Sequence, residues 1–259
     1  MKDFIIYKNS KVAYSDVGKG NAIVLLHGFL ENSSMWNEVS EELSKKNRVI
    51  CVDLLGHGKT NCIGYLHTMN DMAEAVKEVL KSLRLRKFFV IGHSMGGYVS
   101  LALAEKYSIN IKGLCLLNST TQADTVERKE LRLRACKMAQ TNYDNLVKLS
   151  ISNLFTIKTR KQFGFELAEI KKEALKTPIQ GYIGATKGMM LRENKEAVLE
   201  SIDKRLIITG KNDPLLKYQS ILEESERTNT PLIELPDGHM SHIENRDELI
   251  DCLKKFIKR

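Results

Sequence analysis

The run Phe88-Phe89-Val90-Ile91-Gly92-His93-Ser94-Met95-Gly96-Gly97-Tyr98 passes from four apolar residues, through a glycine-flanked serine, into Val99, Leu101, Ala102, Leu103 and Ala104. The first part reads as a buried strand and the last as a buried helix. Ser94 then sits at the apex of a sharp strand-to-helix turn, in the pattern G-x-S-x-G. The glycines have a steric reason, because strand and helix approach too closely there for a Cβ. The turn lifts the hydroxyl out of the sheet and sets a helix N-terminus behind it, which favours developing negative charge. Three fixed positions of this kind recur by chance in about one chain in ten, so the surrounding sequence has to decide.

Strand-helix alternation surrounds the run. Residues 4–7 and 12–17 read as a hairpin around Asn9-Ser10. Residues 22–26 form an apolar strand that empties into His27-Gly28-Phe29-Leu30, and residues 49–52 form another that empties into the loop 53–60. Between the two strands, Ser33-Ser34 opens a helix with Trp36, Val39 and Leu43 inward; after the loop 53–60, Thr68 caps a second with Met69, Met72, Val76, Val79, Leu80 and Leu83 inward. Residues 114–117 are a further buried strand ending at Asn118-Ser119. Short apolar strands alternating with helices predict a mostly parallel sheet covered on both faces, with ligands at the carboxyl ends of its strands. From 121 to about 190 the pattern is helical only, with Leu131, Met138, Leu146, Leu149, Leu154, Phe163, Leu167 and Ile170 as the apolar faces. Alternation resumes at 206–209 and 232–235 and closes with a helix burying Leu249, Ile250, Leu253, Phe256 and Ile257. The division is a core of 1–120 and 191–259 interrupted by a helical block, 121–190.

The totals narrow the function classes. The chain has 259 residues, 42% hydrophobic and 28% charged, enough to bury a sizeable core. No stretch approaches a membrane span, and charge breaks the N-terminal residues too early for a signal peptide. Five scattered cysteines, Cys51, Cys62, Cys115, Cys136 and Cys252, read as small hydrophobes in a reducing compartment, so a cytoplasmic location is expected. Net charge is +8, but Lys and Arg alternate with Asp and Glu and no basic run is interleaved with aromatics. No nucleic-acid partner is expected. Neither H-E-x-x-H nor C-x-x-C spacing occurs, so no metal and no cofactor is expected.

A serine nucleophile needs a base, and the base needs an orienting acid. Six histidines are present, and two of them, His239 and His242, follow the last strand. Asp213, in Gly210-Lys211-Asn212-Asp213-Pro214, lies just past the strand at 206–209. Ser94, Asp213 and a histidine of the last loop therefore stand at strand carboxyl ends, in the order Ser…Asp…His.

The chain resembles the α/β-hydrolase fold family, in the group with a helical cap inserted after the sixth strand. The resemblance rests on His27-Gly28-Phe29, Asp53 through Gly58, Gly92 through Gly97, Gly210 through Pro214, and Gly238-His239 followed by Glu244. It implies an α/β fold with about eight strands, the second antiparallel, and a cap at 121–190. It implies Ser94 as nucleophile, His239 as base and Asp213 as orienting acid, with an oxyanion hole from the backbone N–H groups of Phe29 and Met95. His239 is preferred to His242 because it follows Gly238. Some relatives carry the acid at the end of the sixth strand, where this chain has Asn118. Related dehalogenases and epoxide hydrolases use an aspartate nucleophile, and Ser94 turns the reading away from those chemistries. His27 and His57 are read as loop braces.

The cap contains thirteen Lys and Arg against seven Asp and Glu. Two readings stay open: attraction of an anionic substrate, such as a carboxylate or a phosphate-bearing acyl carrier, or solvated outer faces of amphipathic helices. Trp36, Met138, Phe155 and Tyr182 are candidates to line the substrate pocket together with Phe29 and Met95. The expected function is hydrolysis of a carboxylic ester or thioester of a small or medium acyl substrate through an acyl-enzyme. Alternatives are a carbon–carbon hydrolase or a lyase like the menaquinone-pathway member, and a ligand-sensing protein with slow turnover. The lyase group carries an arginine after the elbow glycines, where this chain has Tyr98.

Overall fold

The computed structural model describes residues 3–258. Eight strands form one sheet: β1 (Asp3–Tyr7), β2 (Ser10–Gly18), β3 (Asn21–Leu26), β4 (Asn47–Val52), β5 (Phe88–His93), β6 (Ile111–Leu117), β7 (Arg205–Gly210) and β8 (Leu232–Leu235). Their order across the sheet is β1-β2-β4-β3-β5-β6-β7-β8. β2 runs antiparallel to β1 and β4, and every pairing from β4 to β8 is parallel. This is the expected mostly parallel sheet with its second strand antiparallel. The hairpin turn is Lys8-Asn9, one residue earlier than expected: both have positive φ (46° and 60°), as a two-residue turn matched to strand twist requires, and Ser10 already pairs with Tyr7.

Because neighbouring residues of a strand face opposite ways, the apolar strands feed two cores. Val24, Leu26, Val90, Leu114 and Leu116 pack on one face against α2 (Met69–Ser82, after α1, Asn37–Ser44) and α3 (Met95–Tyr107). Ile23, Leu25, Ile91, Cys115 and Leu117 pack on the other against Trp36, α1 and the C-terminal helix. The strand order reverses between β3 and β5, which are neighbours although β4 and α2 separate them in sequence. The crevice outside that reversal is where sheets of this kind hold ligands, and it is where His27-Gly28-Phe29 and Ser94 emerge.

Of the helices between β6 and β7, five make up the inserted block: α4 (Val126–Met138), α5 (Tyr143–Ser152), α6 (Ile157–Gln162), α7 (Gly164–Ala174) and α8 (Ile179–Met190). α9 (Glu196–Glu200), α10 (Tyr218–Arg227), α11 (Ser241–Glu244) and α12 (Arg246–Lys258) complete the chain. The inserted helices have their own core, in which Leu146, Val147, Ile151, Phe155, Leu167, Ala174 and Tyr182 close on Leu30 and Met240. Leu131, Met138 and Leu149 do not join it. They are 57%, 46% and 58% exposed, because the inward stripe of α4 is Arg132 and Cys136, leading to Ala139, rather than its leucines.

The insertion docks through backbone. A Cβ on Gly181 would strike the Gly56 carbonyl, and one on Gly188 the His67 carbonyl. His67 N–H donates to Gly184 O at 3.0 Å. Three glycines on one face of α8 thus let the helix lie against residues 56–68. Among the described residues, no helix is long and apolar enough to cross a membrane.

Candidate active site

Ser94 follows β5 with φ 49° and ψ −114°, a conformation that non-glycine residues rarely adopt and that structures retain at functional sites. The turn is as tight as the glycine pattern requires. A Cβ on Gly92 would collide with the Gly96 carbonyl, one on Gly96 with the Leu26 carbonyl, and one on Gly97 with the Ser119 side chain. Two hydrogen bonds tie the turn to the end of β6: Ser94 N–H donates to Leu117 O at 3.0 Å, and Ser119 Oγ donates to Ser94 O at 2.8 Å. α3 starts at Met95, so the Met95 N–H belongs to the helix's first turn, where amides lack intrahelical partners.

Asp213 follows β7 and His239 follows β8, and folding brings them together. His239 Nδ1 donates to Asp213 Oδ2 at 2.7 Å, with both side chains almost wholly buried. Asp213 Oδ1 accepts from Leu215 N–H at 2.8 Å and Leu216 N–H at 3.0 Å. Burial alone would raise the Asp213 carboxyl; the His239 ring and these hydrogen bonds overcome it and hold the group below its usual range. An ionised Asp213 keeps the imidazole proton on Nδ1 and leaves Nε2 as the basic nitrogen. Asn118, at φ 44°, is a brace for this pair. Its Nδ2 donates to Asp213 Oδ2 and to Gly238 O, both at 3.1 Å, and its Oδ1 accepts from Ser241 Oγ at 2.7 Å. Glu244 steadies the same loop by accepting from Met240 N–H at 2.9 Å.

His242 lies elsewhere. Its Nε2 is 3.7 Å from Glu31 Oε1 and its ring lies 6.2 Å from that of Trp36. Burial lowers its pKa to about 3, so it is neutral at neutral pH. His27 Nε2 accepts from Leu54 N–H at 2.8 Å, and Asp53 accepts from Ser33 and Lys59 N–H. These side chains hold the loops after β3 and β4.

Glu31 was not singled out in the sequence. It follows Phe29 and Leu30, the latter at φ 64°, and it links three segments. Glu31 Oε2 accepts from Gly28 N–H at 2.9 Å and from His93 Nδ1 at 2.8 Å, and His93 Nε2 donates to His239 O at 2.9 Å. A ring that donates from both nitrogens is an imidazolium. Burial works against both charges, but their mutual attraction wins: Glu31 is held down to about 2 and His93 is raised.

Phe29, Ser94, His93 and His239 line one cavity of about 80 Å³, with Leu30, Tyr98, Arg128, Arg132, Ile151 and Leu154 also on its wall. The other pocket candidates do not reach it: the Met95 side chain is buried in the core on the α2–α3 face of the sheet. Trp36 is fully buried under the sheet, where an indole fills the α1 side of the core. Phe155 and Tyr182 fill the core of the insertion, Tyr182 backing Phe29 at 4.9 Å between rings. Met138 is exposed at the end of α4. Arg128 and Arg132 take the place assigned to these residues; four positions apart on one helix, they share a face.

A sequence profile described as the alpha/beta hydrolase fold matches residues 21–246. A solved esterase from Thermogutta terrifontis with malate bound is 26% identical and superposes with a TM-score of 0.93 over 100% of this chain and 98% of its own. The 3-oxoadipate enol-lactonase 1 of Acinetobacter baylyi is 24% identical over 92% of this chain and 88% of that protein. An uncharacterized protein of Mycobacterium tuberculosis is 32% identical over 107 residues, a match spanning 41% of this chain and 31% of that relative's length.

Proposed function

The chain belongs to the α/β-hydrolase fold family, and from that premise we propose that it is a serine hydrolase cleaving a carboxylic ester or thioester of a small or medium acyl substrate. The observation that carries the reading is the buried 2.7 Å hydrogen bond from His239 to Asp213, on a loop whose histidine shares a cavity with the strained Ser94. Ser94 Oγ attacks the substrate carbonyl carbon and its proton passes to His239 Nε2. Asp213 stabilises the imidazolium that forms. The carbonyl oxygen becomes an oxyanion, accepted by the N–H groups of Phe29 and Met95. Loss of one such donor costs about 3–4 kcal/mol of transition-state stabilisation. The tetrahedral adduct collapses, the C–O or C–S bond breaks, and His239 returns the proton to the leaving group. Water then repeats the sequence on the acyl-enzyme and frees the acid.

The solved esterase and the curated lactonase support ester-bond chemistry. The buried Cys115 and Cys136, which carry free thiols, support a reducing, cytoplasmic setting. Pre-steady-state hydrolysis of 4-nitrophenyl acetate and butyrate tests the mechanism. A burst of nitrophenol stoichiometric with enzyme, absent in Ser94→Ala, is expected; wild-type turnover that survives in Ser94→Ala contradicts it.

A further inference from the structure

The positive charge of the inserted helices is of two kinds. Lysines on α7 and just past it face water and pair locally, as Lys172 does with Glu169 and Lys176 with Glu173. Three arginines converge instead on one fully buried carboxylate, that of Asp124. Arg132 Nε donates to Asp124 Oδ2 at 2.6 Å, Arg192 Nη1 lies 2.8 Å from Oδ1, and Arg128 Nε lies 3.6 Å from Oδ1. Burial would raise the Asp124 carboxyl, but the arginines hold it below its usual value, so it stays anionic. One negative charge faces three positive ones.

The surplus falls on the catalytic pocket. Arg192 is committed elsewhere: it donates to Gln122 O and Met189 O, both at 3.0 Å, and lies 4.0 Å over the Tyr98 ring. Arg128 and Arg132 line the cavity that holds Ser94 and His239. Arg128 is loosely held, with a 3.4 Å hydrogen bond to Leu215 O. Of the other charged groups, Glu31 is matched by His93, and the Asp213 carboxylate lies behind His239, off the cavity wall. Two guanidinium groups in a half-closed cleft with one buried carboxylate between them are costly to desolvate unless an anion joins them. Their planar donors match a carboxylate in pairs.

We infer that Arg128 and Arg132 form a subsite for a second carboxylate on the substrate, so that the enzyme prefers acyl groups that are themselves acids, as in the hemiesters of short dicarboxylic acids. The inference rests on the serine-hydrolase reading and adds the substrate class. Asp124 is a positioning residue that holds the two arginines on the pocket wall.

The test compares monoethyl succinate with ethyl 4-methylpentanoate, in which an isopropyl group replaces the carboxylate. Wild-type kcat/KM is expected to favour the succinate by about tenfold or more, as one charge-assisted pair provides. The preference should shrink at high salt. Arg128→Gln and Arg132→Gln should each reduce that ratio by about tenfold, chiefly through KM for the succinate. Arg132 also neutralises Asp124, so Arg128→Gln serves as the variant whose fold is least at risk. Equal rates on both esters, unchanged in the variants, overturn the subsite and leave the hydrolase reading standing. Failure on both esters while a fluorophosphonate still labels Ser94 also overturns the subsite. Failure on both with no labelling overturns the hydrolase reading itself.

Discussion

Glu31 and His93 form a buried ion pair, Oε2 to Nδ1 at 2.8 Å, that joins the loop after β3 to the turn holding Ser94. The same histidine reaches the His239 carbonyl, and the same carboxylate holds the Gly28 N–H. Three segments, those of Gly28, Ser94 and His239, therefore share one salt bridge.

Glu31→Gln tests that link. The amide removes the negative charge, and the three bonds can no longer all be made: with the amide oxygen in the Oε2 place a neutral His93 loses its bond to His239 O, and with the amide nitrogen there, donating to His93 Nδ1, the Gly28 N–H loses its acceptor. The expected result is a fall in kcat of about tenfold or more with little change in KM. Stability should drop by about 3 kcal/mol in urea unfolding, as for other broken buried pairs. A variant with unchanged kcat would reduce the pair to a structural role.

Asn118, just past β6, braces the Asp213 carboxylate that follows β7. Asn118→Ala removes donors to Asp213 and Gly238 and leaves the Ser241 hydroxyl without its acceptor. It also puts alanine at positive φ, which costs about 1 kcal/mol. A loss of about 2 kcal/mol in stability is expected, with kcat reduced by about tenfold. Chemical denaturation and steady-state kinetics read both.

Docking of the insertion depends on backbone contact at α8. Gly181→Ala places a methyl against the Gly56 carbonyl, where neither backbone can yield cheaply. Destabilisation of about 1–3 kcal/mol is expected, with a matching drop in the urea midpoint. An unchanged midpoint would mean that α8 shifts without strain.

Buried His57 and His242 make stability depend on pH. Both folded-state pKa values are lowered to about 3 by burial. Between about 3 and the unfolded value of about 6.5, the unfolded chain binds protons that the folded chain refuses. Stability therefore falls as pH drops through that window. His242→Gln should flatten the dependence by about 1.4 kcal/mol per pH unit, the contribution of one proton. Urea midpoints at pH 7, 6 and 5 measure it.

The turn that carries Ser94 was legible in the sequence because its constraints are local: an apolar strand, then glycines at positions where a Cβ collides with backbone. Asp213 and His239 were legible through their places at strand ends and their order. The pocket wall was not. Leu131 and Leu149 carry the residue type of an inward face, yet α4 turns Arg132 inward and leaves Leu131 exposed. That orientation is set by Asp124 and by how the insertion docks. Trp36, Phe155 and Tyr182 have the size and apolarity of pocket residues and equally of core residues, and packing used them as core. Glu31 looked like any loop carboxylate, because its partner His93 lies 62 residues away.

The central claim is that Ser94 is an activated nucleophile. Intact-protein mass spectrometry after exposure to a fluorophosphonate tests it most directly. The account predicts one phosphonyl adduct on the wild-type chain, mapped to the peptide containing Ser94, slowed strongly by His239→Ala and absent in Ser94→Ala. A folded wild-type protein that takes up no adduct, or an adduct that persists in Ser94→Ala, would contradict it.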